Sequence, residues 1–282
     1  MDALGPYGFS VDVGAAGAPA EIERSGYRTL WVNGGRLDRL DRLLDVIEST
    51  EHAVVAPAII PPDVYDPAAV TDLFRRAELA APGRLLVGLG SPQRPRPLAA
   101  VRGYVDELDA ATAPIPQRRR LLAAFGPKAL DLARDRFAGA IGGLFTPAYT
   151  AAARQRLGAD RTLVVGLYVV LDDDPAAARA AAREPLSFLA TLPPYINSFR
   201  RQGFTDEDVA TLSDALIDEL VAWGEPDRVA AHARELRAAG ADHVQLTVLG
   251  GPGRPSGPEA ARLLATALSS PSTPAAPRPT TS

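Results

Sequence analysis

Short apolar runs and longer amphipathic stretches alternate along almost the whole chain. The runs lie at residues 7–11, 29–32, 53–60, 84–89, 121–125, 138–141, 162–171 and 243–249, and they predict eight strands. The stretches 15–25, 37–49, 67–79, 98–111, 128–136 and 147–156 place apolar residues three to four positions apart and predict helices between the strands. Asp66-Pro67 and Thr146-Pro147 each read as a cap followed by proline at the first helical position. Eight strands separated by helices predict a closed (β/α)8 barrel, the TIM barrel, rather than an open sheet, with ligands expected at the C-terminal strand ends.

The segment 120–147 condenses this reading. It gives a strand, a Gly126-Pro127 turn, a helix and a second short strand that ends in Gly142-Gly143. Glycine permits a sharp turn and a close ligand approach, proline suits the first helical position, and the free N–H groups of a helix start suit an anion such as phosphate. Lys128 adds charge there or points into water, and the dipeptide also reads as an ordinary strand-to-helix turn.

Between residues 171 and 243 the alternation gives way to an expanded crossover between the seventh and eighth strands. LDDDP at 171–175 ends a strand and starts a helix, and helical patterns follow at 176–189, 206–223 and 226–239. Pro193-Pro194, Tyr195 and Gly203-Phe204 interrupt them and suggest a wall or lid beside the ligand face. A last helix is expected at 259–268. Residues 1–268 are thus assigned to a single barrel domain and 269–282, rich in proline, serine and threonine, to a disordered tail.

Composition narrows the function. A chain of 282 residues with 46% hydrophobic content has enough apolar material for one large α/β domain or two smaller ones. Its formal charge of -4 argues against nucleic-acid binding, and RRR at 118–120 is too short to reverse that. The absence of cysteine removes disulfides, thiolate catalysis and iron–sulfur ligation, and three histidines, at 52, 232 and 243, argue against a metal site. Neither a secretory signal nor an apolar run of membrane-spanning length is evident, so a soluble, cytoplasmic protein is expected.

Asp12, Asn33, Gln93 and Thr146 fall at or just beyond strand ends, where they suit either ligand contact or capping. His52 and His243 fall at strand starts and are read as structural. Ser10, Ser91 and Ser198 lack a nucleophile elbow, and the pairs Asp38/Asp41 and Asp206/Asp208 fit helix starts. This scarcity of side-chain machinery favours a bound cofactor that carries the hard step.

GYRTLWV at 26–32, GRLLVGLGSP at 83–92, LAAFGPKALDLARDRFAGA at 122–140, TP at 146–147, PPYINSFRRQGFTDEDV at 193–209, ALIDELVAWGEPDRVAAH at 215–232 and AGADHVQLTVLG at 239–250 carry a further signal. In their order and spacing the chain resembles the luciferase-like flavin and deazaflavin oxidoreductases, above all the F420-dependent branch. The resemblance implies hydride transfer between coenzyme F420 and an unidentified small organic substrate. It implies a bulge with a non-prolyl cis peptide at Ala58 and Ile59. It also implies cofactor contacts at Gly90 and Ser91, at a phosphate turn formed by Gly126 and Pro127, and at Gly142. Asn33, Gln93 and Tyr195 become the catalytic candidates, Arg94 or Arg96 a seat for the acidic F420 tail, and a homodimer of barrels the expected assembly. The ligand-face loops depart from the family pattern at NGG 33–35, at PPDVYD 61–66 and in the short SPQRPRPL. An FMN-dependent monooxygenase using reduced flavin and oxygen, and a catalytically inactive cofactor- or partner-binding barrel, are the alternative readings.

Overall fold

A computed structural model describes residues 4–15, 17–34, 37–92 and 94–270. Its strands, all parallel, are β1 (Tyr7–Val11), β2 (Thr29–Asn33), β3 (Val54–Ala58), β4 (Val87–Leu89), β5 (Arg120–Ala123), β6 (Gly139–Gly143), β7 (Thr162–Val170), β8 (Val221–Trp223) and β9 (His243–Val248). They hydrogen-bond in the order β3-β2-β1-β9-β7-β6-β5-β4, while β8 pairs with β7 outside that path. Two bridges, Val55 to Leu85 and Ile60 to Leu89, join β3 to β4 and close the barrel. Each of the eight predicted strands is present in this ring.

The helices are α1 (Ala18–Arg24), α2 (Arg42–Glu48), α3 (Pro67–Ala80), α4 (Pro97–Ala110), α5 (Pro127–Arg136), α6 (Pro147–Leu157), α7 (Pro175–Leu189), α8 (Pro193–Arg201), α9 (Asp206–Thr211), α10 (Asp214–Leu220), α11 (Pro226–Ala238) and α12 (Gly257–Ser269). Asp66, Thr146 and Asp174 cap α3, α6 and α7 through side-chain oxygens, each ahead of a proline. The first two helices are shorter than their apolar patterns suggest.

The strands are buried on both faces, which is why they read as continuous apolar runs. Leu30, Val32 and Val55 face the helices, while Trp31, Val54, Ala56, Leu121, Ile141 and Val164 pack together inside the barrel.

The crossover differs from expectation. The predicted helix at 206–223 is three elements: Leu212 turns left-handed with φ 49°, Ser213 caps a new helix, and Val221 to Trp223 form β8. β7 outlasts β6, so its upper end at Tyr168, Val169 and Val170 offers a free edge that the apolar VAW segment takes. Residues 193–201, read as an interruption, form α8. Leu186, Phe199, Leu216, Ile217, Leu220 and Trp223 give this insertion a core of its own.

At the N-terminal end of the barrel, the Glu23 carboxylate accepts the backbone N–H groups of Glu51, His52 and Ala53 at 2.8, 2.6 and 2.6 Å. Burial pushes its pKa up, but these three donors and nearby Arg84 outweigh it and hold the carboxyl below the usual range. His52 therefore acts through its backbone, its side chain being 89% exposed. Glu23→Gln is expected to cost about 1 to 2 kcal/mol in urea unfolding at pH 7. The carboxylate's advantage is present above its unfolded pKa and fades as pH falls through the lowered folded one. An unchanged midpoint at pH 7 would refute this role.

Candidate functional site

A cavity of about 1080 Å³ opens at the C-terminal ends of the strands. Asn33, Ala58, Ile59, Gly90, Ser91, Gly126, Pro127, Gly142 and Tyr195 all line it, so residues singled out from six distant parts of the chain converge on one space. Gln93 lies outside the described residues, as does the tail from residue 271 onward.

The wall beside β3 is a bulge. Between the two closing bridges β3 advances five residues, Val55 to Ile60, while its neighbour advances four, Leu85 to Leu89. The Ala58–Ile59 peptide within it is cis and non-prolyl, where the family resemblance places one. Glycines let the surrounding chain close on this wall: a Cβ at Gly34 would stand 2.5 Å from the Ile59 carbonyl oxygen, and one at Gly90 2.4 Å from Ile59 Cδ1.

Gly126 has a different role from the one its sequence suggests. Its φ of -144° is ordinary extended backbone, so no special turn requires glycine. What a side chain would meet is Arg201, whose Nη1 lies 3.1 Å from the position of a Cβ there. Absence of that Cβ lets the guanidinium from α8 lie across the start of α5, beside exposed Lys128 at the rim. Burial raises the pKa of Tyr149, and nearby Arg201 pulls against that rise. Two cations and a helix N-terminus thus surround one anion-sized corner.

Gly142 contributes backbone to the cavity, while the direction of its absent side chain points to Phe145, whose ring would be 2.2 Å from a Cβ. The glycine is needed for packing under that ring.

α8 walls the cavity with Tyr195, which packs tilted against Phe125 at 4.7 Å between centroids. Burial, with Tyr168 nearby, pushes the Tyr195 phenol well above its ordinary pKa, so it stays protonated at neutral pH. The far end of α8 is fastened by Gln202, which accepts from Thr146 N at 2.7 Å and donates to the Leu144 carbonyl at 3.0 Å.

The floor is polar. Gln245 donates to Ser10 Oγ at 3.0 Å and to Asn33 Oδ1 at 3.2 Å, and Ser10 shares a 2.8 Å bond with Thr247. Sequence reasoning missed Gln245, Thr247, Tyr168 and Arg201. For the first three a signal existed, since every second residue of a barrel strand points inward and His243, Gln245 and Thr247 fall in that register.

Other candidates resolve into local roles. Asp12 accepts from Gly14 N and is not among the cavity residues, and Thr146 caps α6 by accepting from Tyr149 N at 3.2 Å. Arg94 reaches the cavity, whereas Arg96 sits at the cap of α4 with φ 57°. His243 lies at the opposite end, inside the barrel, and is structural as its position at a strand start suggests.

Comparison with known proteins fits this geometry. An F420-dependent secondary alcohol dehydrogenase solved with an F420-acetone adduct superposes with a TM-score of 0.72 at 14% identity, covering 93% of this chain and 97% of the other. The coenzyme F420-dependent tetrahydromethanopterin reductase from Methanopyrus kandleri gives 0.71 at 17% identity over 93% and 97%. EDTA monooxygenase from Chelativorans sp. BNC1 gives 0.63 at 10% identity over 91% and 86%. No curated protein matches the sequence significantly. At these identities the superpositions show the shared fold. The sequence model of the luciferase-like monooxygenases matches residues 96–243, from the start of α4 to the first residue of β9. Because that match spans just over half of the chain, and the superpositions share its barrel, the chain belongs to the luciferase-like monooxygenase family of (β/α)8 oxidoreductases.

Proposed function

We propose that this chain is an F420-dependent oxidoreductase acting on a small organic molecule. The observation that carries the reading is the charge pattern of the cavity: Arg94, Lys128 and Arg201 line it, and no aspartate, glutamate or histidine does among the described residues. Apolar walls and a glycine-relieved bulge suit a flat ring, and three cations suit a long polyanionic arm. The likeness to two F420-dependent structures, with TM-scores of 0.72 and 0.71, supports this choice over FMN.

The residues present fit such a group. The N-terminus of α5, Arg201 and Lys128 would hold its phosphate, Arg94 its acidic tail, and the Ala58–Ile59 bulge would bound the ring pocket. Reduced F420, when bound, supplies a hydride. The remaining tasks belong to the chain. α8 and the residue before it exclude water with Leu192, Pro193 and Tyr195. Tyr195, kept neutral by burial, holds a proton available to a substrate oxygen that gains negative charge.

Equilibrium titration of the purified chain with F420 and with FMN, followed by turnover with each reduced cofactor, tests this. Micromolar F420 binding with little FMN binding is expected. Tight FMN binding without F420 binding selects the monooxygenase alternative, and binding of neither selects an inactive barrel.

A further inference from the structure

The polar floor of the cavity has a direction. In the arrangement above, the Gln245 amide spends its N–H groups on Ser10 Oγ and Asn33 Oδ1. Ser10 shares a 2.8 Å bond with Thr247 Oγ1 in which either hydroxyl can donate, and in one of its two directions Ser10, which has already accepted from Gln245, gives its own hydrogen to Thr247. Thr247 is then left with a hydroxyl hydrogen, and Asn33 with its Nδ2 hydrogens; neither has a further partner among the described residues, and both side chains line the cavity. Gln245 is only 4% exposed and also lines the cavity; both of its bonds use Nε2, and its Oε1 has no hydrogen-bond partner among the described residues.

We infer that the floor is a two-donor site for an acceptor oxygen, a carbonyl or carboxylate oxygen, with Gln245 as the positioning residue that aims Thr247 and Asn33. The rest of the cavity agrees with this polarity. Its other hydrogen-bonding side chains near the floor include the Tyr168 phenol, which burial keeps protonated, and its charged residues are all cations. No carboxylate or imidazole is present among the described lining residues to receive a proton from an amine or alcohol. Ligands rich in acceptors are matched; ligands that offer donors leave Thr247 and Asn33 unanswered, a mismatch that buried sites penalise strongly. The inference rests on the proposed reading only in taking this cavity as the ligand site, and it does not depend on which cofactor binds.

The test is ligand-observed NMR titration of the full chain, with and without F420, using acetophenone and ethylbenzene as probes of similar shape. Acetophenone should bind about five-fold more tightly than ethylbenzene. Thr247→Val should bring that ratio close to one with the ethylbenzene affinity unmoved, and Thr247→Ser should restore it. Gln245→Glu, studied at pH 8, supplies a carboxylate that only accepts. Ser10 and Asn33 must then donate to it, Asn33 Oδ1 faces the cavity, and aniline should overtake acetophenone. An equal ratio in wild type and Thr247→Val, or an unchanged preference for acetophenone in a folded Gln245→Glu protein, overturns the assignment. Should Thr247→Val instead weaken F420 about five-fold, with acetophenone binding only in its absence, the oxygen held is a ring carbonyl of the cofactor. Loss of acetophenone affinity in the presence of F420 identifies a substrate oxygen. If F420 does not bind at all, the cofactor reading fails while the acetophenone ratio still decides this one.

Discussion

Lowering the pH from 6.5 to about 4 is expected to remove about 3 kcal/mol of folding stability through one side chain, His243. The imidazole is fully buried at the base of the barrel, where its Nε2 accepts from Trp31 Nε1 at 2.9 Å and its Nδ1 is 2.8 Å from the Gly5 carbonyl. Trp31 can only donate, so Nε2 must be bare, and Nδ1 carries the hydrogen that goes to Gly5. Burial depresses the pKa to about 4, opposed by the Gly5 bond and assisted by Arg237. A second proton would also set two N–H groups against each other at Nε2. Below about pH 6.5 the unfolded chain takes up a proton that the native state refuses, so stability falls as the pH drops and levels off below about 4. Urea unfolding of wild type and His243→Gln between pH 6.5 and 5, above the range where carboxylates titrate, isolates the effect. Wild type should lose stability across that window and the variant should not; parallel slopes would falsify the account.

If the chain binds F420 as proposed, Arg201→Glu is expected to weaken that binding on the order of 100-fold, measured by equilibrium titration. The guanidinium lies over the start of α5 in space that Gly126 leaves open, and hydrogen bonds to a charged partner contribute about 1.5 to 3 kcal/mol. Reversing the charge replaces that gain with repulsion from the anionic arm. The fold should be indifferent, because Arg201 sits at the exposed end of α8 while Phe199 and Gln202 anchor the helix. Circular dichroism at unchanged melting temperature would separate the two effects. A variant that retains wild-type F420 affinity removes Arg201 from the site.

Much of this architecture can be read from periodicity, since strands buried on both faces leave uninterrupted apolar runs. The weakest such run, at 138–141, is a full strand, and its poor signal has a cause: a Cβ at Gly139 would lie 1.9 Å from the Thr162 carbonyl oxygen, so glycine stands where a strand former would be expected. β8 is hidden for the opposite reason. Val221, Ala222 and Trp223 continue an apolar helical pattern, and only the unpaired upper end of β7 makes them a strand. The lining of the cavity was legible where backbone forms it, at Ala58, Gly90, Gly126 and Gly142. It was illegible where it depends on side chains from remote elements. Nothing local to Arg201 shows that α8 folds back over α5, and Gln245 looks like any polar residue in a strand until Ser10 and Asn33 are brought beside it.

The charge pattern of the cavity also fixes what acidity can reveal about turnover. With phenols held neutral by burial and no carboxylate or imidazole on the described lining, the pocket has no switch that flips between about pH 5 and 8. A rate profile across that range should be a plateau, and any inflection on it is the signature of the ligand's own ionisation. The pH axis thereby becomes a means of reading the substrate's chemistry from the outside, using the enzyme as a silent frame.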